Sequence, residues 1–515
     1  MLLRMKTIFL LWCFSCTALV ILSCKNKSEP ELQREQVSIN NGEKLAKMYC
    51  ASCHQFPEPE MLPKKIWSQT ILPRMGYMYG IYNSETERQN LFENNQGGAI
   101  VKASGLFPDA PTLDSITWAN IQKYYLTKAP DSIFQHSPLK IIGESKLFKT
   151  LIPDQKVNVP STTLAKFTSE GTIYIGDAFT KSFSEFSKDL GLLKTGNVPE
   201  GAVWTTTSKD TLWLTVMGSF SPTDAPLGVI AKSTGNGPFS VPIKNLQRPV
   251  HTSLADVDQD GDEDILVCEF GKWTGALSLH VNQGEDTYVK KVLHAKPGAI
   301  KAYFRDMNAD GLMDIVALFA QADEGIDIFY NLGNTNFRRE RVLEFPPSMG
   351  GSFFNVQDYN HDGHLDILFT AGDNADYYPI LKPWHGVYLY TNNGSNVFKK
   401  TRFLPLNGAY NAVMEDFDLD GDQDIAAISF FPDWAQNPKE AFVFFENIGT
   451  TYQAYTFKEV NWGRWVVMDA MDYDRDGDTD LVLGSLAFEA LPKLGFEKVW
   501  MEKGIPFVVL ENQSR

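Results

Sequence analysis

The sequence predicts a multidomain chain: a small all-α domain followed by an all-β seven-bladed propeller. Three observations carry the prediction. Apolar residues fall at helical spacing in the first part of the chain, before Pro130. An aspartate-rich nonapeptide recurs five times in one register, its starts separated by 50, 52, 58 and 56 residues. Each copy runs into an apolar strand and, farther on, into an aromatic or β-branched strand ending in Asn. A fixed period with strand–turn–strand content marks stacked or ring-closed repeats.

The 515 residues are 43% hydrophobic and 21% charged, which fits folded domains and excludes wholesale disorder, collagen-like repeats and a multi-span membrane protein. The formal net charge of −16 argues against a basic interface, so no nucleic-acid partner is expected.

Residues 1–23 read as an export signal. Arg4 and Lys6 precede an apolar run over residues 8–22, too short to cross roughly 30 Å of hydrocarbon comfortably. The run ends in Ile21-Leu22-Ser23-Cys24, which resembles the lipobox of a bacterial lipoprotein. That resemblance implies that Cys24 is acylated and becomes the mature N-terminus, while Cys13 and Cys16 leave with the signal. It also implies an exported, membrane-anchored protein at the periplasmic face or cell surface, in the outer rather than the inner membrane. Several acyl chains hold stably because each buried CH₂ contributes about 0.8 kcal/mol. Residues 24–37 are polar and aperiodic and read as a flexible tether.

Residues 38–132 read as one small domain. Asn40-Asn41-Gly42 is placed to cap a helix whose Leu45, Met48 and Tyr49 fall at i, i+3 and i+4. That helix enters Cys50-Ala51-Ser52-Cys53-His54. Two thiols at this spacing can form thioethers with haem vinyl groups while the imidazole binds iron. A thioredoxin-like dithiol is the rival reading, but it requires a βαβ context and has no use for the His. At the far end, Asp114 or Ser115 caps a helix over residues 116–127 with Trp118, Ile121 and Tyr125 as its stripe, and Pro130 stops it.

A helix entering C-x-x-C-H and an aromatic-rich closing helix resemble a monohaem class I cytochrome c. The resemblance implies one covalent haem c on Cys50, Cys53 and His54, with a Met near a Pro as the second axial ligand. Leu72-Pro73-Arg74-Met75-Gly76 offers that Met in an expected loop, so Met75 is the expected ligand, with Met78, Met61 and His136 as alternatives. Met75 follows His54 by only 21 residues, a tight loop for this family. Residues 133–144 read as a linker.

Residues 145–515 hold the repeats. The nonapeptides are DVDQDGDED (256–264), DMNADGLMD (306–314), DYNHDGHLD (358–366), DFDLDGDQD (416–424) and DYDRDGDTD (472–480). Oxygens at positions 1, 3 and 5 converge on a calcium ion when Gly at position 6 permits a sharp turn, and the residues at positions 7 and 9 complete the shell. The candidate ligands are Asp256, Asp258, Asp260, Asp262 and Asp264; Asp306, Asn308, Asp310 and Asp314; Asp358, Asn360, Asp362 and Asp366; Asp416, Asp418, Asp420, Asp422 and Asp424; and Asp472, Asp474, Asp476, Asp478 and Asp480. The first six positions match an EF-hand loop, but no Glu stands at position 12 and position 9 opens a strand instead. The pattern resembles FG-GAP/VCBS repeats, the blades of integrin-type β-propellers, and implies three to five Ca²⁺. The five windows carry −21 against −16 for the whole chain, so the rest is +5. Carboxylates so crowded repel one another unless a cation compensates.

Length sets the blade count. A repeat of 50 to 58 residues fits seven times after Gln135, so two blades without the motif precede the five that carry it. Strands over 163–167, 172–175 and 182–186, then 202–205, 211–217 and 229–232, are the expected pieces of those two. The last copy ends one strand short, and residues 147–152 can supply it, which removes the open edges.

Three functions fit. The first is one-electron transfer by an anchored c-type cytochrome that meets redox partner proteins, with the propeller as docking or recognition module. The second is a propeller oxidoreductase acting on a sugar or alcohol and passing electrons to the haem. The third is a surface adhesin that binds a glycan or protein. The expected binding face carries long loops after the second strands of the last three blades, bearing Tyr377, Tyr378, Trp384, His385, Trp434 and Trp500, with His251, Lys301, Asn411 and Arg464 lining the same funnel.

Overall fold

The computed structural model describes residues 29–235, 237–375, 380–487 and 494–515. The export signal with Cys24, and the loop residues Tyr377 and Tyr378, lie outside the described residues. Among those described, no helix is long and apolar enough to cross a membrane.

The N-terminal part is helical. Its first helix, Glu29–Tyr49, starts inside the expected tether and runs straight through the expected cap at Asn40-Asn41-Gly42. Gly42 serves a different purpose. A Cβ there would lie 2.2 Å from the Asn120 carbonyl oxygen and 2.9 Å from Tyr124 Cβ, so this helix can cross the Ser115–Lys128 helix only through a residue without a side chain. Ser38 Oγ donates to Asn120 Oδ1 at 2.7 Å beside that crossing. The closing helix behaves as its sequence predicts. Asp114 caps it by accepting the Ile116 and Thr117 N–H groups at 2.9 Å, and Trp118, Ile121 and Tyr125 are buried. These residues form one core with Ala46, Cys50, Trp67 and Leu72.

The rest is a ring of seven antiparallel sheets. Blade one is Thr162–Phe167, Ile173–Asp177, Ser182–Phe186 and Leu192–Asn197; blade two is Ala202–Ser208, Thr211–Val216, Gly228–Thr234 and Ser240–Leu246. Blades three to six begin with the inner strands Pro249–Ala255, Ala299–Arg305, Gly351–Gln357 and Ala409–Glu415. Blade seven joins Trp465–Met471, Asp480–Ser485 and Phe507–Asn512 to the early strand Phe148–Leu151, which pairs antiparallel with Phe507–Asn512 from Phe148 opposite Asn512 to Leu151 opposite Val509. Ile141–Glu144, within the expected linker, adds a parallel fifth strand to blade six.

Seven apolar cores lie between consecutive blades. The last joins Val482, Phe507 and Val509 of blade seven to Phe167, Ile173 and Phe186 of blade one. In the five motif-bearing blades the second strand is buried at every position, as its unbroken apolar run demands. Each fully buried Phe, Leu, Ile or Val contributes about 1.5–3 kcal/mol, so no blade is stable without its neighbours. All seven inner strands carry a β-bulge between their first and third residues. The repeated bulge turns the third side chain of each inner strand in the same way.

Candidate functional site

The aspartate loops join the first strand to the second in blades three to seven and share one conformation. Position 4 is left-handed in every copy, at Gln259, Ala309, His361, Leu419 and Arg475, with φ between 58° and 65°. The Gly at position 6 has φ of 85° to 99°, a conformation that costs a side-chain-bearing residue far more. In the first loop Asp256 accepts the N–H groups of Asp260 and Gly261 at 3.1 and 2.9 Å, and Asp260 accepts that of Asp262 at 2.9 Å.

Three loops bring their carboxylates together. Asp256, Asp258 and Asp260 have ligand oxygens within 4.8 Å of one another, as do Asp416, Asp418 and Asp420, and Asp472, Asp474 and Asp476. In the other two loops Asn308 and Asn360 accept the N–H of Asp310 and Asp362 and donate to those same carboxylates. Several carboxylate oxygens are buried with no hydrogen-bond partner: Asp258 Oδ1, Asp416 Oδ1, Asp422 Oδ1 and Asp424 Oδ2. Burial, then the neighbouring carboxylates, raises Asp258, Asp422 and Asp474 above the usual aspartate range. An orphaned, crowded oxygen set of this kind fits a hard divalent cation.

The position 9 carboxylate has a second task. Asp264, Asp314, Asp366, Asp424 and Asp480 are at most 1% exposed, and each accepts the main-chain N–H of the Asn that ends the third strand at 2.7–2.8 Å. Burial pushes Asp264 up to about 6 and both Asp424 and Asp480 up to about 7.

The C-x-x-C-H segment follows the first helix as a short turn, Cys50–Ser52. Cys50 is buried, Cys53 exposed and His54 half-buried. The His54 Nδ1 lies 2.8 Å from the Gln55 carbonyl oxygen, which puts the ring proton on Nδ1 and leaves Nε2 as the free ligand atom. Burial pushes the Cys50 thiol up to about 11. Met75 sits on the helix Leu72–Met78 rather than in the expected loop. Met75 and Met61 both pack against the core that contains Cys50, but the Met61 sulfur also takes a hydrogen bond from Ser348 of the propeller. His136 is held at the Pro383 carbonyl, 2.6 Å away.

That helical domain sits on the face opposite the aspartate loops. Glu93 accepts from Thr223 Oγ1 at 2.5 Å and Lys272 Nζ at 3.0 Å, both in loops after second strands. Phe107 meets Trp273 edge-on, with ring centroids 5.1 Å apart. A Cβ on Gly97 would lie 2.4 Å from the Ala225 nitrogen, so the contact is close.

Among the described residues of the aromatic loops, Trp384, His385, Trp434 and Trp500 pack inward instead of forming the expected recognition face. Trp434 and Trp500 are buried, 5.1 Å apart, in the core between blades six and seven. His385 is buried, and Trp384 donates its indole N–H to the Ser348 carbonyl. Arg464 does not line a funnel either; it is fully buried, with its guanidinium 3.6 Å from the Phe430 ring centroid. Loop length and aromatic content alone cannot separate packing from display.

The channel has members that sequence reasoning missed. Trp204 occupies the same third position as His251, Lys301 and Asn411, and Lys166 and Asp469 occupy the fifth. Two of the missed residues, Lys166 and Trp204, lie in the motif-free blades, where no repeat marked the register.

Comparison with known proteins agrees with the blades. The family described as FG-GAP-like repeat matches residues 256–317 and 306–369. The chain thus carries FG-GAP-like repeats on a seven-bladed β-propeller, with a small helical region before it. No curated protein matches the sequence. Similar solved structures include a streptogramin B lyase, at 12% identity and TM-score 0.45 over 71% of this chain and 98% of that one. Virginiamycin B lyase from Staphylococcus aureus gives 11% and 0.43 over 71% and 99%, and YCF48 bound to D1 peptide gives 9% and 0.43 over 74% and 100%. At these scores no function transfers.

Proposed function

We propose that the protein is a membrane-anchored, exported c-type cytochrome that carries out one-electron transfer, with a calcium-stabilised propeller as its docking module. The observation that supports it best is the helix crossing at Gly42, which sets a C-x-x-C-H turn and an aromatic closing helix against one core. A dithiol redox centre fits this arrangement poorly. Its attacking thiol needs an exposed, lowered-pKa position, commonly at a helix N-terminus, whereas Cys50 is buried and follows the end of a helix.

Cys50 and Cys53 would hold the haem through thioethers, and His54 Nε2 would supply one ligand to its iron. When bound, haem c supplies a one-electron couple whose potential a Met ligand raises. Met75 is the second ligand we propose; Met61 fits less well because its sulfur is engaged by Ser348, and Met78 is the alternative on the same helix. The chain's own part is to keep the site apolar, through Trp67, Tyr125 and Trp118, and to fix the His54 tautomer through Gln55. Redox partners are the expected company of the helical domain, and the acyl chains on Cys24 would keep it at the membrane.

Co-expression with thioether-forming machinery tests this reading. The purified protein should be red and keep its haem through acid–acetone extraction, and Cys53→Ser should lose one thioether. Met75→Ala should abolish the Fe–S absorption band. A colourless protein from an export strain that matures a control cytochrome would end the proposal.

A further inference from the structure

The middle of the propeller channel gathers polar groups that electron transfer does not use. His251 is 3% exposed, and neither of its ring nitrogens has a hydrogen-bond partner. Its ring lies on Trp204, with centroids 4.4 Å apart, and the Trp204 indole N–H is likewise buried without a partner. Lys301 enters from blade four, 8% exposed. Its Nζ stands 3.9 Å from the Phe353 ring centroid, 5.0 Å from that of Trp204 and 5.2 Å from that of Tyr303. Lys166 reaches the same indole from blade one, 4.0 Å from its centroid, and donates to the Thr205 carbonyl.

The charges do not balance. Two ammonium groups face one acid, Asp469, which accepts the Phe167 N–H at 3.0 Å and makes no ion pair with either lysine among the described residues. Aromatic rings offset part of the cost of a buried cation. They do not supply an acceptor for the Lys301 ammonium, the Trp204 indole N–H and a His251 N–H, and each unmet buried donor is costly.

The surrounding walls are not sealed. Trp204, Tyr303, Phe353, Lys166 and Asp469 all keep part of their surface open. Toward the helical domain, Phe430, Phe431 and Leu486 pack into one apolar cluster, with Phe220 against them. On the face of the aspartate loops the inner strands end instead in the polar, half-buried Arg305, Gln357 and Glu415.

We propose that the channel binds a small organic carboxylate, whose oxygens take the Lys301, Trp204 and His251 donors while its apolar body lies against Tyr303 and Phe353. The assignment is independent of the haem.

Calorimetric titration of the calcium-loaded full chain with benzoate, acetate and inorganic phosphate tests it. Benzoate should bind saturably and more tightly than acetate or phosphate. Trp204→Phe keeps the ring and removes one donor, so it should weaken benzoate roughly tenfold. Lys301→Met should abolish binding; if that variant fails to fold, Trp204→Phe decides alone. No heat of binding at about 10 mM benzoate, phosphate binding as tightly as benzoate, or an unaltered Trp204→Phe affinity would each overturn the proposal.

Discussion

The side-chain amide of Asn331 donates to the main-chain carbonyl of Val257, 3.0 Å away and one blade earlier, while its own N–H donates to Asp314 at 2.7 Å. Asn512 repeats the arrangement with Phe417 and Asp480, both at 2.8 Å. In blades four and seven the residue that ends the third strand thus ties its own aspartate loop to the loop of the preceding blade. Loop order and blade packing are one property.

Asn331→Ala should therefore cost more than its size suggests. The side chain also donates to the Met313 carbonyl and accepts the Gly333 N–H, all at a position 1% exposed. A loss of about 2–4 kcal/mol is expected in chemical denaturation. A loss below about 0.5 kcal/mol, the range of an ordinary surface substitution, would remove the staple.

Calcium removal should act on the same network. Excess chelator is expected to lower the melting temperature of the propeller markedly, and calcium titration of the stripped protein should restore it with three to five sites. The loops at 256, 416 and 472, with three converging carboxylates each, should fill before those at 306 and 358. Asp418→Ala should remove one of the tighter sites. An unchanged melt in chelator would show that the loops stand without metal.

Gly42→Val places atoms where the Asn120 carbonyl already is, and backbone cannot give way as a side-chain tip can. The helical domain should lose about 3 kcal/mol or more. Calorimetry should show its transition lowered or absent while the propeller transition stays in place.

Lys301 gives the chain a pH signature. Burial first, then Lys166, pushes its ammonium down from 10.5 to about 7, with Asp469 and Cys268 opposing; His251 and Tyr303 face it as well. The unfolded chain keeps the proton up to about 10.5 and the folded chain only to about 7, so this group makes stability rise with pH between those values. Lys301→Met should be more stable than the parent below pH 7, with an advantage that shrinks as the pH approaches 10. Melting curves of both chains from pH 6 to 10 check the sign; an advantage constant with pH would contradict it.

The sequence made the ring legible because its signals are local and repeated. Asp, Gly and the apolar run that follows recur at fixed offsets, and the closing strand at Phe148–Leu151 follows from counting. Helix Ser115–Lys128 was equally plain, since cap, stripe and stop all agree. What escaped was set by distant partners. Gly42 has the look of a cap residue until Asn120 is known to lie against it, and Met75 resembles a loop ligand because Pro73 stands beside it, although a Pro in a first helical turn is harmless. Trp434 and Trp500 appear displayed until their burial against each other is seen. The channel residues share only a position within their strands, and that position has meaning only when seven strands meet.

The zipper of Phe148–Leu151 on Phe507–Asn512 also orders events in time. Lys149 and Glu511, ion-paired across it at 2.7 Å, are 362 positions apart in the chain. A ribosome delivers the first of these strands long before its mate, so the nascent chain carries an unsatisfied hydrogen-bonding edge through the synthesis of the intervening blades. That edge finds its partner only once Phe507–Asn512 has been made.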